Sequence, residues 1–487
     1  MRIGFASRLA LGLVSLAPVS HGAGAAQEPG GHAGTFDEAL EHRSFADLRQ
    51  WSQAHPWSLG DRLGVRLESL LETRRVGERL AKERADLEAA FLSEALAEDP
   101  FSGWIHGVSA WDAEACSHHE TVLEALGSLP AMIAAGERDA AWAQIADLRD
   151  HVEPSGGWAL SAPALARVTA AFLHAGDTPH AAELGGALAA SAAELRQGAV
   201  LAACERVLGE IARRAGDLAG CERRTSRSFE IAAALDSGDC ARLLDEIEGL
   251  EARGVDTVLE IAIGEKQTLV VAAGVRGRAA KLVAVERAWI EARVRRLIDA
   301  PATAFDAAAA RELNEQILVP VESVLGPRLG IVRDAPLAVL PLELLASTRF
   351  LAEDHSIVYF ARPPIGARPL PADDGSTPKT LRLDASEKLE PAKARAELVL
   401  LASERPGFDA LADAFHAAGV RDVLGSLRPV DDAQRLVLAR LEEHRARGED
   451  AADALRAVRK QLLEGDGADA RRRNPWTWAA WVVHRRD

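Results

Sequence analysis

The stretch Gly330-Ile-Val-Arg-Asp-Ala-Pro-Leu-Ala-Val-Leu-Pro-Leu-Glu-Leu-Leu345 decides the fold class of the second half of this chain. Its apolar start predicts a buried strand over residues 329–332, and a proline-containing turn follows. Strands that alternate with helices are typical of an α/β sheet. The other predicted strands cover residues 257–263, 267–273, 356–360, 398–402, 422–427 and 479–483. The predicted helices cover residues 282–298, 307–325, 408–418, 433–447 and 451–463.

Four motifs in the second half carry a family resemblance. Residues 330–345 resemble a signature in which a hydrophobic strand leads through a Pro-Asp-Gly turn into Leu-Pro-Phe-Glu-Ala-Leu. The stretches 350–359, 418–432 and 474–483 resemble the following strand, a late strand and the closing strand of that signature. The chain thereby resembles the CHAT family, whose caspase-like domains often follow tetratricopeptide repeats. The resemblance implies a caspase-like α/β sheet domain over residues 250–487.

The resemblance also implies where a catalytic cysteine and histidine would stand. In the family, a strand ending in Leu-Ser-Ala-Cys presents the nucleophile, and an earlier strand ending in His-Gly presents the base. Residues 396–407 resemble the cysteine strand and place Ser403 at the nucleophile position. Residues 380–386 resemble the histidine strand and place Ser386 at the base position. A cysteine peptidase needs a thiolate and an imidazole, so the resemblance implies a domain that has lost its catalytic pair.

Two other groups of residues are candidates for a site near these strands. A serine nucleophile needs an adjacent base, and the nearest downstream histidine is His416, in the predicted helix 408–418. Catalysis by Ser403 with His416 is therefore the alternative hypothesis, and the competing interpretation places His416 on the helix surface. Asp431 and Asp432 could accept a basic side chain in the cleft. They equally suit the amino-terminal cap of the following helix.

An internal repeat precedes the predicted sheet. The triplets Ala135-Gly-Glu137, Ala175-Gly-Asp177 and Ala215-Gly-Asp217 recur at intervals of 40 residues. This spacing predicts tetratricopeptide-like helical hairpins over residues 101–245, in which each glycine ends the first helix in a left-handed conformation. The alternative is an irregular helical bundle with chance Ala-Gly pairs. A small residue that would let paired helices approach closely follows each glycine by five positions: Ala141, Ala181 and Cys221.

The amino-terminal residues have the pattern of a secretory signal. Arg2 and Arg8 precede a short apolar stretch, and Ala23-Gly-Ala25 is a plausible cleavage site. We therefore expect a signal peptide over residues 1–25 and export, with a disordered apolar tail as the alternative. Residues 26–100 are expected to be helical: residues 36–53 have a helical pattern, and residues 61–97 are predicted to form either one long helix or two. No other apolar stretch reaches about 18 residues, so no transmembrane helix is predicted.

The composition and the motifs narrow the classes of ligand and partner that we expect. A net charge of −16 argues against nucleic acid and anionic membranes as partners. The chain has no dinucleotide-binding, phosphate-loop or Cys-x-x-Cys pattern, so no cofactor is expected. The types of side chain in Cys116-Ser-His-His-Glu120 suit zinc, but Ser117 and Glu120 also suit a capping box that opens a short helix through Leu126, and we expect no metal. The sequence leaves the pairing of four cysteines open: Cys116, Cys204, Cys221 and Cys240.

These observations predict an α + α/β protein, in which all-α helical-hairpin repeats precede a caspase-like α/β sheet domain. The expected function is non-catalytic binding of a protein or peptide through the repeats. The alternative is an active CHAT-type endopeptidase that uses Ser403 and His416. A third hypothesis is that the chain pairs with an intact CHAT relative and regulates it.

Overall fold

The computed structural model divides the chain into two compact units, which meet between Trp51 and Ser52. In the first unit, α1 (Phe36–Glu41) opens on a capping box: the Thr35 hydroxyl accepts from the Glu38 amide, and the Glu38 carboxylate accepts from the Thr35 amide. The helical pattern predicted over 36–53 is confirmed, as two helices, because the chain turns at Arg43 (φ 48°) before α2 (Phe45–Ala54). The structure describes residues 35–77, 79–152, 157–235, 238–248, 254–299, 305–346, 349–360, 380–383, 398–401, 412, 414–416, 420–427, 432–464 and 475–485.

The second unit begins with helices. The helical stretch predicted over 61–97, which the sequence left open as one helix or two, is two helices, because Gly77 adopts a left-handed conformation (φ 80°) that ends the first. The helices are α3 (Leu59–Val76), α4 (Arg79–Ala95), α5 (Phe101–Ser109), α6 (Ala113–Ala134), α7 (Arg138–Val152), α8 (Gly157–His174), α9 (Thr178–Glu194), α10 (Gly198–Arg214), α11 (Leu218–Leu235) and α12 (Gly238–Glu248).

The predicted helical hairpins are confirmed for α6 to α11. Gly136, Gly176 and Gly216 each follow the first helix of a pair, with φ of 92°, 82° and 81°. At each of them the next amide donates to a carbonyl five residues back, as in Glu137 N to Met132 O (3.0 Å), which is the Schellman arrangement. The three small residues at the predicted close approaches are almost completely buried: Ala141, Ala181 and Cys221.

A hydrogen bond and an ion pair connect helix α3 to the amino-terminal parts of two repeat helices. At one end, the Asp61 carboxylate accepts from the Ala199 amide in the first turn of α10 (3.0 Å). Towards the other end, Arg75 forms an ion pair with Glu120 of α6 (2.5 Å). The chain's own helix therefore covers part of the surface that the repeats would otherwise offer to a partner.

A mixed sheet follows the repeats. Within the described ranges its order is β3-β2-β1-β4-β5-β9-β8-β7-β6. β1 to β3 form an antiparallel meander, β1 is parallel to β4 and β4 to β5, and β6 to β8 are parallel to one another. β9 is antiparallel to β8. The strands are β1 (Thr257–Ile263), β2 (Thr268–Gly274), β3 (Gly277–Val283), β4 (Arg328–Arg333), β5 (Ser356–Phe360), β6 (Thr380–Leu383), β7 (Leu398–Leu401), β8 (Asp422–Ser426) and β9 (Trp481–Arg485).

The helices around the sheet correct several predicted boundaries. The predicted helix at 282 begins only at Arg287, because residues up to Val283 form the unpredicted β3. The predicted helix over 307–325 ends at Ile317 and continues as the 3₁₀ helix Val319–Val324, whose second residue is Pro320. The helices are α13 (Arg287–Asp299), α14 (Ala307–Ile317), α15 (Ala335–Ala338), α16 (Leu351–Asp354), α17 (Asp432–Ala446), α18 (Ala451–Glu464) and α19 (Trp476–Ala479), with a second 3₁₀ helix at Leu342–Leu344.

The tryptophans near the carboxy terminus are core residues. Trp476, Trp478 and Trp481 are all buried. The guanidinium of Arg459, itself buried, donates to the carbonyl oxygen of Trp481 (2.5 Å) and forms an ion pair with Glu343 (3.1 Å). This buried charge ties α18 to the start of the closing strand β9.

Over the residues that the structure describes, no helix combines the length and apolar character needed to cross a bilayer.

We predict that alanine at Gly136, Gly176 or Gly216 lowers the free energy of unfolding by about 1 kcal/mol each. A Cβ at these positions would meet no atom within 4 Å, so the loss comes from backbone strain alone. Gly186, which lies exposed inside α9 with equally open surroundings, is the matched control. Alanine there should raise stability by about 0.5–1 kcal/mol, because alanine favours the helix. Urea unfolding of the five proteins gives the comparison, and three glycine variants as stable as the parent would contradict the prediction.

Candidate functional site

The strands that would carry the family's catalytic residues lie side by side. β6 and β7 are parallel, and their last residues, Leu383 and Leu401, are paired. The chain therefore leaves both strands at their carboxyl ends, which lie next to each other in the sheet. Ser386 comes three residues after β6 and Ser403 two residues after β7. Both serines lie outside the described residues, so their placement at the two catalytic positions stays a prediction.

His416 lies at the other end of these strands. Its predicted surface position is wrong, because the side chain is buried. Its Nδ1 lies 3.0 Å from the carbonyl oxygen of Val420, which fixes the proton on Nδ1. Val420 comes two residues before β8, whose first residue, Asp422, is paired with Leu398, the first residue of β7. His416 is thus near the amino end of β7, whereas Ser403 follows its carboxyl end.

The acidic pair after β8 is described only in part. Asp432 is the first residue of α17. Its side chain and the whole of Asp431 lie outside the described residues. Both interpretations, an acidic cleft and a helix cap, therefore stay predictions.

The cysteines supply no reactive thiolate among the side chains described. Cys116, Cys204 and Cys221 are unpaired and buried on helices of the amino-terminal half. Burial raises the pKa of the Cys204 thiol to about 12 and that of Cys221 to about 11. A thiol with so high a pKa stays protonated at neutral pH and is a poor nucleophile. The side chain of Cys240 lies outside the described residues.

The candidate metal cluster lies inside a helix, about one turn after its start. The predicted capping box at Ser117 is wrong, because α6 begins earlier, where the Asp112 carboxylate accepts from the Ala115 amide (2.8 Å). His119 is buried against the Trp111 ring, and burial lowers its pKa to about 4, whereas His118 is exposed. Throughout the described ranges, no three His, Cys, Asp or Glu side chains are grouped as metal ligands.

A buried ion pair joins the repeats to the sheet. Arg206 of α10 donates to Glu260 of β1 (2.6 Å), and their side chains are only 0% and 4% exposed. Apolar side chains of α11 and of the meander pack in a cluster beside this contact, among them Cys221, Phe229 and Leu269. A buried ion pair is stable only while both charges are present, because removal of one partner leaves the other buried and uncompensated.

Further charged side chains lie along α10, beyond Arg206 and away from the sheet. Burial would raise the pKa of Glu210, but hydrogen bonds from Arg213 and Arg214 and the charge of Arg206 lower it below its usual value. Arg214 also donates to the carbonyl oxygen of Leu173 near the end of α8 (2.8 Å). A continuous set of charged contacts therefore runs from the second hairpin through α10 to β1.

A second charged cluster lines a pocket at the amino ends of β4, β5 and β8. Arg485 donates to Asp422 (2.7 Å) and to Asp450 (2.6 Å), and Arg421 also donates to Asp450 (3.0 Å). The first residue of β5, Ser356, lines the same pocket. The volume of this pocket is about 60 Å³, which is enough for a few water molecules and far below that of a ligand site. The paired charges hold the last strand in the sheet and leave little room for a substrate.

The comparisons with known proteins agree with the resemblance over the last part of the chain. The CHAT domain family matches residues 376–486. This range contains β6 to β9, including the two strands, β6 and β7, to which the resemblance assigns the catalytic positions. No curated protein matches the chain. Residues 376–486, which follow the helical repeats, are therefore similar to a CHAT domain.

We predict that replacing Arg206 by methionine lowers the free energy of unfolding by about 3–5 kcal/mol, because the Glu260 carboxylate stays buried without its partner. Changing Glu260 to leucine in the same chain should recover most of that loss, since no buried charge remains. Urea unfolding of the full chain measures both. Arg167→Met is the control, because the Arg167–Glu246 pair is exposed and should be worth less than about 1 kcal/mol. A double variant no more stable than Arg206→Met would show that the ion pair is not the origin of the loss.

Proposed function

We propose that this protein is an exported, catalytically inactive peptidase-like protein that binds other proteins through its helical repeats. One observation carries the inactivity: serines follow the adjacent ends of β6 and β7, where the family has histidine and cysteine. A serine hydroxyl is a weak nucleophile unless a base lies beside it. The buried thiols of α6, α10 and α11 cannot replace the missing cysteine, because they lie in helices that precede the sheet. Export rests on the signal pattern of residues 1–25.

The alternative is an active endopeptidase that uses Ser403 and His416. The described backbone weighs against this pair, because His416 is bonded to Val420 at the amino end of β8. Ser403 leaves β7 at the opposite end. The four residues of β7 extend for about 10 Å at roughly 3.3 Å per residue. A hydrogen bond between serine and histidine would need the chain after β7 to turn back along the strand.

The surface that remains for a partner lies on α6 to α9. α3 covers the amino-terminal parts of α6 and α10, and the sheet covers α10 and α11. The remaining helices present mainly acidic side chains to solvent, with Arg167 and His118 among the few exposed basic ones. Hairpin arrays of this kind bind extended segments or helices. We therefore expect a partner segment rich in lysine and arginine. The exposed acids are Glu114, Glu124, Glu137, Asp139, Asp147, Glu183 and Glu194.

A partner related to the chain itself is the third hypothesis. An intact CHAT peptidase that carries a basic segment would meet the same requirement. The regulated enzyme would then be the relative, and this chain would supply the binding surface.

We predict that the chain without residues 1–25 hydrolyses no member of a random peptide library at neutral pH. The same preparation should form no adduct with a cysteine-directed electrophile beyond residue 240, because no cysteine is present there. Mass spectrometry of the products and of the labelled protein measures both. Turnover that disappears in Ser403→Ala and also in His416→Ala would overturn the proposed inactivity and establish the alternative.

We predict that peptides selected by the same chain from a random library carry a net positive charge, and that their affinity falls steeply with salt. Glu124→Lys with Glu183→Lys should weaken binding at least tenfold, since both acids lie on the exposed repeat surface. Glu464→Lys is the control, because it is an equally exposed acid at the end of α18. Titration of a fluorescent selected peptide gives the affinities. Selection of neutral or acidic peptides, or an equal loss in the control, would contradict the proposed surface.

A further inference from the structure

Exposed apolar side chains are concentrated on the α3–α4 hairpin. Of the nine large hydrophobic residues that stand exposed in the described chain, four lie here: Val65, Val76, Leu80 and Leu87. The two leucines of α4 are 81% and 56% exposed. They are seven residues apart, which places them on one face of the helix two turns from each other. Leucines so exposed at a helical repeat are typical of a contact with another helix.

The residues between the two leucines give this face a two-fold pattern. The stretch Leu80-Ala-Lys-Glu-Arg-Ala-Asp-Leu87 has Glu83 three residues after the first leucine and Arg84 three residues before the second. Both charged residues are exposed. A two-fold rotation about the midpoint between them brings Leu80 of one copy opposite Leu87 of another. The same rotation brings Glu83 opposite Arg84 at both symmetric positions.

We propose that a second copy of this chain packs antiparallel along α4, with the two leucines as the apolar contact and the two Glu83–Arg84 pairs as the polar contact. Such an interface is isologous, because each copy presents the same surface to the other. Glu83 forms an ion pair with Arg79 in the single chain (3.2 Å), but both side chains are more than half exposed. An exposed pair of this kind is weak, so Glu83 can exchange its partner at little cost.

The proposed interface is small, and its small buried area limits the affinity of the dimer. Two leucines and two charged residues from each copy bury far less than the roughly 1,200 Å² of a stable interface. The dimer should therefore form reversibly, with a dissociation constant of roughly micromolar or weaker. Export into a confined compartment at high local concentration would favour the dimer by mass action.

Sedimentation equilibrium of the chain without residues 1–25, over a hundredfold range of concentration, tests the proposal. The parent should show a monomer–dimer equilibrium. Glu83→Arg and Arg84→Glu should each weaken the dimer at least tenfold, since each places like charges opposite one another. The double variant Glu83→Arg/Arg84→Glu should restore the dimer, because the exchanged charges are again complementary. Leu80→Ser should also weaken it, and Val275→Ser, at an equally exposed apolar residue of the β2–β3 turn, should not.

Two results would overturn the proposal. One is a parent chain that stays monomeric at every concentration. The other is a dimer that does not respond to charge as expected. Either both single charge variants leave it unchanged, or the double variant fails to restore it. The substituted side chains are exposed, so circular dichroism should show folded protein in each case. The outcome does not depend on the proposed binding function, because peptide binding is measured at the acidic face of α6 to α9.

Discussion

The contact between Arg206 and Glu260 is the constraint on which the two parts of the molecule depend. Both charges are almost completely removed from water, and each is stable there only while the other lies within hydrogen-bond distance. Arg206 is carried by the third helical hairpin and Glu260 by the first strand of the sheet. Neither part can fold with its charge satisfied unless the other part is in place. The repeats and the sheet accordingly share one compact unit, Ser52–Asp487.

The apolar packing beside this pair has the same consequence. β1 and β2 are buried along their whole length. On one side they face the core of the sheet domain, and on the other side α10 and α11 cover Leu269 and Val271 of β2. The last hairpin therefore acts as a covering layer of the sheet, as helices do on both faces of α/β folds. A fragment that began after the repeats would expose this apolar face.

The part of the chain matched by the CHAT domain family is likewise not independent. It supplies β9, which lies between β5 and β8 in the described sheet order. Arg485 in this strand is held by Asp422 and Asp450, and Arg459 holds the backbone of Trp481. The strand that closes the sheet thus comes from the matched range but completes a core that begins near residue 255. The motif at 330–345, which lies outside the matched range, supplies β4, which pairs with β5 in the same sheet.

Features that depend on neighbouring residues could be predicted from the sequence. The three repeat glycines need only a local turn, and the strands near 330, 358 and 424 are short apolar runs. β3 was not predicted because two of the seven residues in its sequence, Gly-Arg-Ala-Ala-Lys-Leu-Val, are charged, which suits an edge strand. The start of α6 was misplaced because Asp112 is a cap that the more familiar Ser-x-x-Glu pattern concealed. The Arg206–Glu260 pair joins residues 54 positions apart, and a lone glutamate in an apolar strand indicates a buried charge without naming its partner.

The same contacts would let the frame persist if the catalytic pair has been lost, as proposed. The charges and aromatic residues that hold the sheet together lie inside it: Glu343, Arg459 and Trp481 in the core, Arg485 and Asp422 where β8 begins. The positions that the resemblance assigns to the catalytic residues, Ser386 and Ser403, follow β6 and β7 in the sequence and are not among these residues. Exchange of histidine and cysteine for serine there would remove the chemistry and leave the network of buried charges intact. The proposed binding function would need only that network and the exposed surface of the repeats.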